Sequence, residues 1–193
     1  SNPSGKVLSR TELESIADFA CRHDLFVFTD EIYEYFIYDG SAHTSPGSIP
    51  RIADRTVTIS GYSKTISITG WRIGYIAAEP GIATAVTKLQ GQSTSNPCSI
   101  SQSAAIEALT GPQDEIKRQV LEFQNRRDYL LERFVEIPEI SCYKPLGSFY
   151  SFPNFSGVFG KRYNDRTIDG SLALTEFLLH EAKVALVPGI AFG

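Results

Sequence analysis

Residues 25–29, Leu-Phe-Val-Phe-Thr, form a continuous apolar run of strand length that ends on an acidic pair, Asp30-Glu31. So short and apolar a run predicts a strand covered on both faces, as in a parallel sheet. A helix is needed beside it. Ser9 and Glu12 form a capping box, and Leu13, Ile16, Ala17 and Ala20 then recur at helical spacing, predicting a helix over 9–23. Further strands are expected over 56–60, running into Gly61-Tyr62-Ser63-Lys64, and over 71–78. Helices are expected over 80–89 and 100–109, followed by a longer, highly charged one ending near Glu136. Alternating strands and helices argue an α/β fold with a mostly parallel sheet, whose ligands bind outside the strands' carboxyl ends.

From Ile140 the texture changes to short strands at 148–152 and 184–187 around one helix at 171–181, with a polar loop over 156–169. The expected division is residues 1–112 as part of a larger α/β domain and residues 113–193 as a connecting helix and a smaller α+β domain. With 193 residues and 42% hydrophobic content, the chain can bury a sizeable core. Eighteen basic against 22 acidic side chains give −4 with no block of like charge, which argues against non-specific binding to nucleic acid or to an anionic membrane.

Cys21, Cys98 and Cys142 are odd in number and widely spaced, so neither a disulfide framework nor a zinc ribbon is suggested and a reducing cytoplasm is expected. His23, His43 and His180 have no partner at metal-ligand spacing, and no metal is expected. No apolar run approaches the ~18 residues of a membrane span, and the first residues do not resemble a signal peptide. The chain contains no methionine, and it is expected to be a piece of a longer protein.

Chemistry concentrates at the predicted strand ends: Asp30 and Tyr33 in Asp-Glu-Ile-Tyr, Lys64 in Gly-Tyr-Ser-Lys, and Arg72 in Thr-Gly-Trp-Arg. A lysine amine can condense with an aldehyde, a guanidinium fork suits a phosphate, a buried carboxylate can hold a proton on a pyridine nitrogen, and a phenol can bond a ring hydroxyl. All four complement pyridoxal 5'-phosphate. Singly, each has an ordinary reading: Asp30 as a cap, Tyr33 as core, Lys64 and Arg72 as solvated surface charges. A nucleotide loop is poorly supported, because Ser63-Lys64-Thr65 lacks glycine at both required positions, Thr58 and Ser63.

These residues, with Asn2-Pro3-Ser4-Gly5, Ser95-Asn96-Pro97, Gly147-Ser148-Phe149-Tyr150 and the closing Val187-Pro188-Gly189-Ile190-Ala191-Phe192-Gly193, resemble the class I pyridoxal-phosphate aminotransferases of the aspartate aminotransferase type. The resemblance covers essentially the whole chain and implies part of a fold type I enzyme. By it, Lys64 would bind the cofactor and move a proton at the substrate's α-carbon, and Asp30 would face the ring nitrogen. Asn2 and Tyr33 would bond the phenolic oxygen, and Ser63 and Arg72 would hold the phosphate. Many relatives carry a further hydroxyl where this chain has Gly61, and Ser60 is the candidate to replace it.

The resemblance also implies a cytoplasmic homodimer exchanging an amino group between an amino acid, aspartate or another dicarboxylic or aromatic donor, and a 2-oxo acid such as 2-oxoglutarate. The family's phosphate loop, ring-stacking aromatic and substrate-carboxylate arginine would lie outside residues 1–193, so this piece alone is expected to be inactive. The alternatives are an eliminating carbon–sulfur lyase on the same fold, or a non-catalytic regulatory domain that keeps the fold.

Overall fold

The computed structural model describes residues 1–193. They divide into two compact units: Ser1, Lys6–Gln124 and Leu146–Ser148 form the first, and Asn2–Gly5, Asn125–Pro145 and Phe149–Gly193 the second.

The first unit opens with helix α1, Arg10–Arg22, started by the expected capping box: Ser9 Oγ accepts the Glu12 amide, and the Glu12 carboxylate accepts the Ser9 amide. Its stripe Leu13, Ala17 and Ala20 packs on Ile49, which joins two short 3-10 turns, Pro46–Ser48 and Pro50–Arg55, and on Ile52 in the second of them, and Val27 packs against the same cluster. Glu12 also pairs with Lys6 at 2.6 Å. The hydrogen bond from Lys6, then the Ser9 amide and hydroxyl, pull the Glu12 pKa from 4.5 down to about 2. A depressed carboxylate pKa stabilises the fold above the ordinary value, and that contribution is lost as pH falls from about 4.5 to about 2. Amide exchange in the first turn of α1, corrected for its intrinsic pH dependence, should therefore accelerate across this window. Glu12→Gln should flatten the response.

Strands β1 (Val27–Asp30), β2 (Thr56–Gly61) and β3 (Gly74–Ala77) form one sheet in that order. β1 pairs β2 in parallel with Asp30 opposite Ile59, whereas β3 runs antiparallel to β2 with Gly74 opposite Gly61. Within residues 1–193, Val27 and Thr29 of β1 are half-buried and Phe28 is 71% exposed, successive strand residues pointing to opposite faces. One expectation needs correction here. The third strand begins at Gly74 rather than at residue 71, because Trp71 closes a 3-10 turn, Thr69–Trp71, and Arg72 takes a left-handed φ of 52°.

Beyond the sheet lie α2 (Pro80–Ser93), α3 (Ser99–Thr110) and α4 (Asp114–Val135), the last with residues in both units. After β1 the chain buries Tyr33, Phe36 and Tyr38. The Phe36 ring meets Phe123 edge-on at 5.4 Å, and Tyr38 Oη donates to the Ser148 carbonyl at 2.5 Å.

In the second unit, Arg127 is buried, donating to the Pro145 carbonyl at 2.9 Å and pairing with Asp128 at 2.7 Å. The strands expected at 148–152 and 184–187 do not form. Their neighbours are isolated bridges, Ser141 to Asn154 here and Ile37 to Gly147 in the first unit. The extended pairing falls instead in the expected loop, as a hairpin of β4 (Arg162–Tyr163) and β5 (Arg166–Thr167), whose turn residue Asn164 adopts a left-handed φ of 52°. Asparagine tolerates that conformation better than most residues. Helix α5, Ser171–Phe177, follows and continues into a π turn over Leu178–Ala182.

Candidate active site

Sheet order and strand direction put the candidate residues on one edge. Asp30 is the last residue of β1, Ser63 and Lys64 lie two and three residues past the end of β2, and Arg72 lies two residues before the start of the antiparallel β3. β2 is the central strand, so the lysine's strand is flanked by those of the carboxylate and the guanidinium. The backbone closes the edge: Tyr62 N donates to the Ile73 carbonyl at 3.4 Å and Glu31 N to the Ile59 carbonyl at 2.8 Å.

The close approach of β2 and β3 at this edge requires glycine. A Cβ on Gly74 would stand 2.9 Å from the Ser60 carbonyl oxygen, and one on Gly61 would stand 3.0 Å from the Gly74 Cα. Gly74→Ala should therefore prise the edge apart and cost roughly 1–3 kcal/mol of stability, as overpacking does. The denaturant midpoint measures this; a change within about 0.5 kcal/mol would contradict the steric argument.

Ser63 and Lys64 are partly buried on a turn held by Ile66 N to the Tyr62 carbonyl and Ser67 N to the Lys64 carbonyl, both 3.3 Å. Arg72 is exposed, and its guanidinium donates to the Thr69 carbonyl at 2.9 Å. The Asp30 carboxylate accepts the Ile32 amide at 3.1 Å. Asp30 and Tyr33 line one small hollow of about 90 Å³ together with Glu31, Glu34 and His43, whereas Arg72 and Asn96 line a second, open one of about 960 Å³. The backbone thus gathers the acid, amine and guanidinium on one edge, while the side chains of Asp30 and Arg72 face different hollows. Asn2 belongs to the second compact unit and is exposed there.

Sequence reasoning missed a polar network around the turn after β1. Glu31 is 5% exposed, and its carboxylate meets His43 Nε2 at 2.6 Å and accepts the Ser45 hydroxyl at 2.8 Å. Burial pushes its carboxyl up, but the hydrogen bonds from His43 and Ser45 and the His43 charge outweigh that and hold it below the ordinary range. Glu34 Oε1 accepts the Ser60 hydroxyl at 3.1 Å and the Tyr75 hydroxyl at 3.4 Å. The Ser60 hydroxyl, considered above for a phosphate contact, is therefore committed to Glu34. Burial raises the Tyr75 and Tyr62 phenols above their usual range. The available signal was three carboxylates, Asp30, Glu31 and Glu34, within five residues at a strand end.

Comparison with known proteins decides the family. The family model described as "Aminotransferase class I and II" matches residues 1–193. This chain belongs to the class I and II aminotransferases. It is 45% identical to the "Probable aspartate/prephenate aminotransferase" of Rickettsia bellii, covering 100% of this chain and 49% of that protein. It is 42% identical to the "Aspartate aminotransferase" of Geobacillus stearothermophilus, covering 100% of this chain and 48% of that one. Among solved structures, the aspartate aminotransferase of Rhizobium meliloti superposes with a TM-score of 0.94 at 38% identity, over 100% of this chain and 49% of that one. The chain thus spans about half the length of the curated relatives it matches.

The resemblance inferred from the motifs and the α/β fold type I architecture both stand. Relatives named as aminotransferases do not favour the eliminating and regulatory alternatives. Aminotransferases of the aspartate type use pyridoxal phosphate, and the donor set at this edge fits it: a carboxylate for a ring nitrogen, an amine for an aldehyde and a guanidinium for a phosphate. No helix is long and apolar enough to cross a membrane.

Proposed function

We propose that the protein to which this chain belongs transfers an amino group between aspartate, or a related dicarboxylic or aromatic amino acid, and a 2-oxo acid such as 2-oxoglutarate or prephenate. The observation that carries this reading is the family match over residues 1–193, within which the backbone sets Asp30, Lys64 and Arg72 at one sheet edge. Two relatives' names, aspartate and aspartate/prephenate aminotransferase, support the substrate class. Residues 1–112 belong in this reading to the larger, cofactor-binding domain and residues 113–193 to the smaller one, in a cytoplasmic homodimer.

Bound here, pyridoxal phosphate would supply an electron sink for the pair left when a substrate's α-proton is removed. The protein's own groups supply the rest. Lys64 would hold the cofactor and would take and return the proton at the α-carbon. Asp30 would keep a proton on the ring nitrogen, and Tyr33 and Asn2 would bond the phenolic oxygen. Arg72 and Ser63 would hold the phosphate, the guanidinium offering two parallel N–H donors.

The test is a product assay on the full-length protein with aspartate and 2-oxoglutarate. Oxaloacetate and glutamate should appear in equal amounts, dependent on both substrates. Ammonia release from the amino acid alone, without a 2-oxo acceptor, would overturn amino transfer in favour of elimination.

A further inference from the structure

The Asp30 carboxylate is oriented by its own chain, accepting the amide of Ile32 two residues on. Its direction therefore depends on the shape of the turn Asp30-Glu31-Ile32-Tyr33-Glu34. That turn is tied internally by Glu34 N to the Glu31 carbonyl at 2.9 Å and to the sheet by Glu31 N to the Ile59 carbonyl at 2.8 Å. Two side chains pin it from outside. Glu34 reaches Ser60 on β2 and Tyr75 on β3, while Glu31 reaches His43 and Ser45 in the loop that leads to Pro46. Glu31 is the more deeply buried of the two. A buried carboxylate satisfied by two donors is costly to disturb, because losing one partner leaves a desolvated charge or an unmet donor.

We propose that Glu31 is a positioning residue for the reaction: held by His43 and Ser45, it fixes the turn that carries Asp30 and Tyr33 past the end of β1. This rests on the amino-transfer reading and adds to it a residue that acts only through Asp30 and Tyr33. Holding a group to a fraction of an ångström governs the chemical step more than it governs substrate capture. The signature is thus a fall in kcat with KM nearly unchanged. His43 and Glu31 form one device, so removing both should cost no more than removing either, unlike two independent contributions.

The experiment uses the full-length protein with Glu31→Gln, Glu31→Ala, His43→Asn and the Glu31→Ala/His43→Asn double variant. Each single variant should lower kcat at least about fivefold with KM for both substrates within about twofold, and the double should match the worse single. In the cofactor-free protein, exchange of the Ile32 amide, which reports directly on its bond to Asp30, should quicken at least about tenfold, the equivalent of one lost hydrogen bond. Glu31→Gln keeps the side chain's shape and an acceptor, so the proposal remains testable if Glu31→Ala does not fold.

Ile52→Val, in the core under α1, serves as the control for stability alone. If it lowers thermal stability comparably and also lowers kcat comparably, Glu31 has no positioning role. A parent that transfers amino groups, alongside Glu31 variants with unchanged kcat or unchanged Ile32 exchange, overturns this inference and leaves the amino-transfer reading intact. A parent that transfers none overturns both.

Discussion

Lys64→Ala in the full-length protein is expected to lower kcat for amino exchange between aspartate and 2-oxoglutarate by at least about 10²- to 10⁴-fold, the range contributed by a positioned acid–base group. Lys64 stands past the end of the central strand, between the strands that carry Asp30 and lead from Arg72. In the proposed reading the same amine both binds the cofactor and handles the α-proton, so its loss removes two contributions together. The fold should survive, since the turn is held by backbone bonds at Tyr62 and Lys64 that the substitution leaves in place. Circular dichroism and the thermal midpoint of the variant should match the parent. A well-folded Lys64→Ala protein within tenfold of the parent's kcat would mean that the proton moves elsewhere.

The second large effect is on stability. Ile52 is 0% exposed and packs with Leu13, Ala17, Ala20 and Ile49. Ile52→Ala should cost about 2–5 kcal/mol, the transfer loss plus the cavity left behind. The neighbours on α1 include two alanines, whose short side chains cannot swing into the gap, which places the expectation in the upper half of that range. Denaturant unfolding of the full-length protein measures it, and a loss below about 1 kcal/mol would show that the cluster relaxes around the truncation.

Much of the first unit was legible because its signals are local. The capping box at Ser9 and Glu12 sets the start of α1, and the short apolar runs place β1 and β2 within two residues of where they form. Placing Asp30 and Lys64 at strand ends required only these elements and the period of the apolar pattern. What failed depended on tertiary context. The left-handed Arg72 shortened β3 against the apolar pattern that runs through Trp71. In the second unit, 148–152 and 184–187 are apolar enough for strands, yet the pairing went to Arg162–Tyr163 and Arg166–Thr167, where a turn residue brings two short segments together. The Glu31–His43 pair spans 12 residues and a loop, and no periodicity encodes it.

The most direct test of a shared cofactor site on this sheet edge is borohydride reduction of the full-length protein with pyridoxal phosphate, followed by peptide mapping. Reduction should fix the pyridoxyl group on Lys64, and Asp30→Ala and Arg72→Ala should each weaken cofactor retention by at least about tenfold, the cost of one charge-assisted contact. A label on a different lysine, or none at all, would contradict the account.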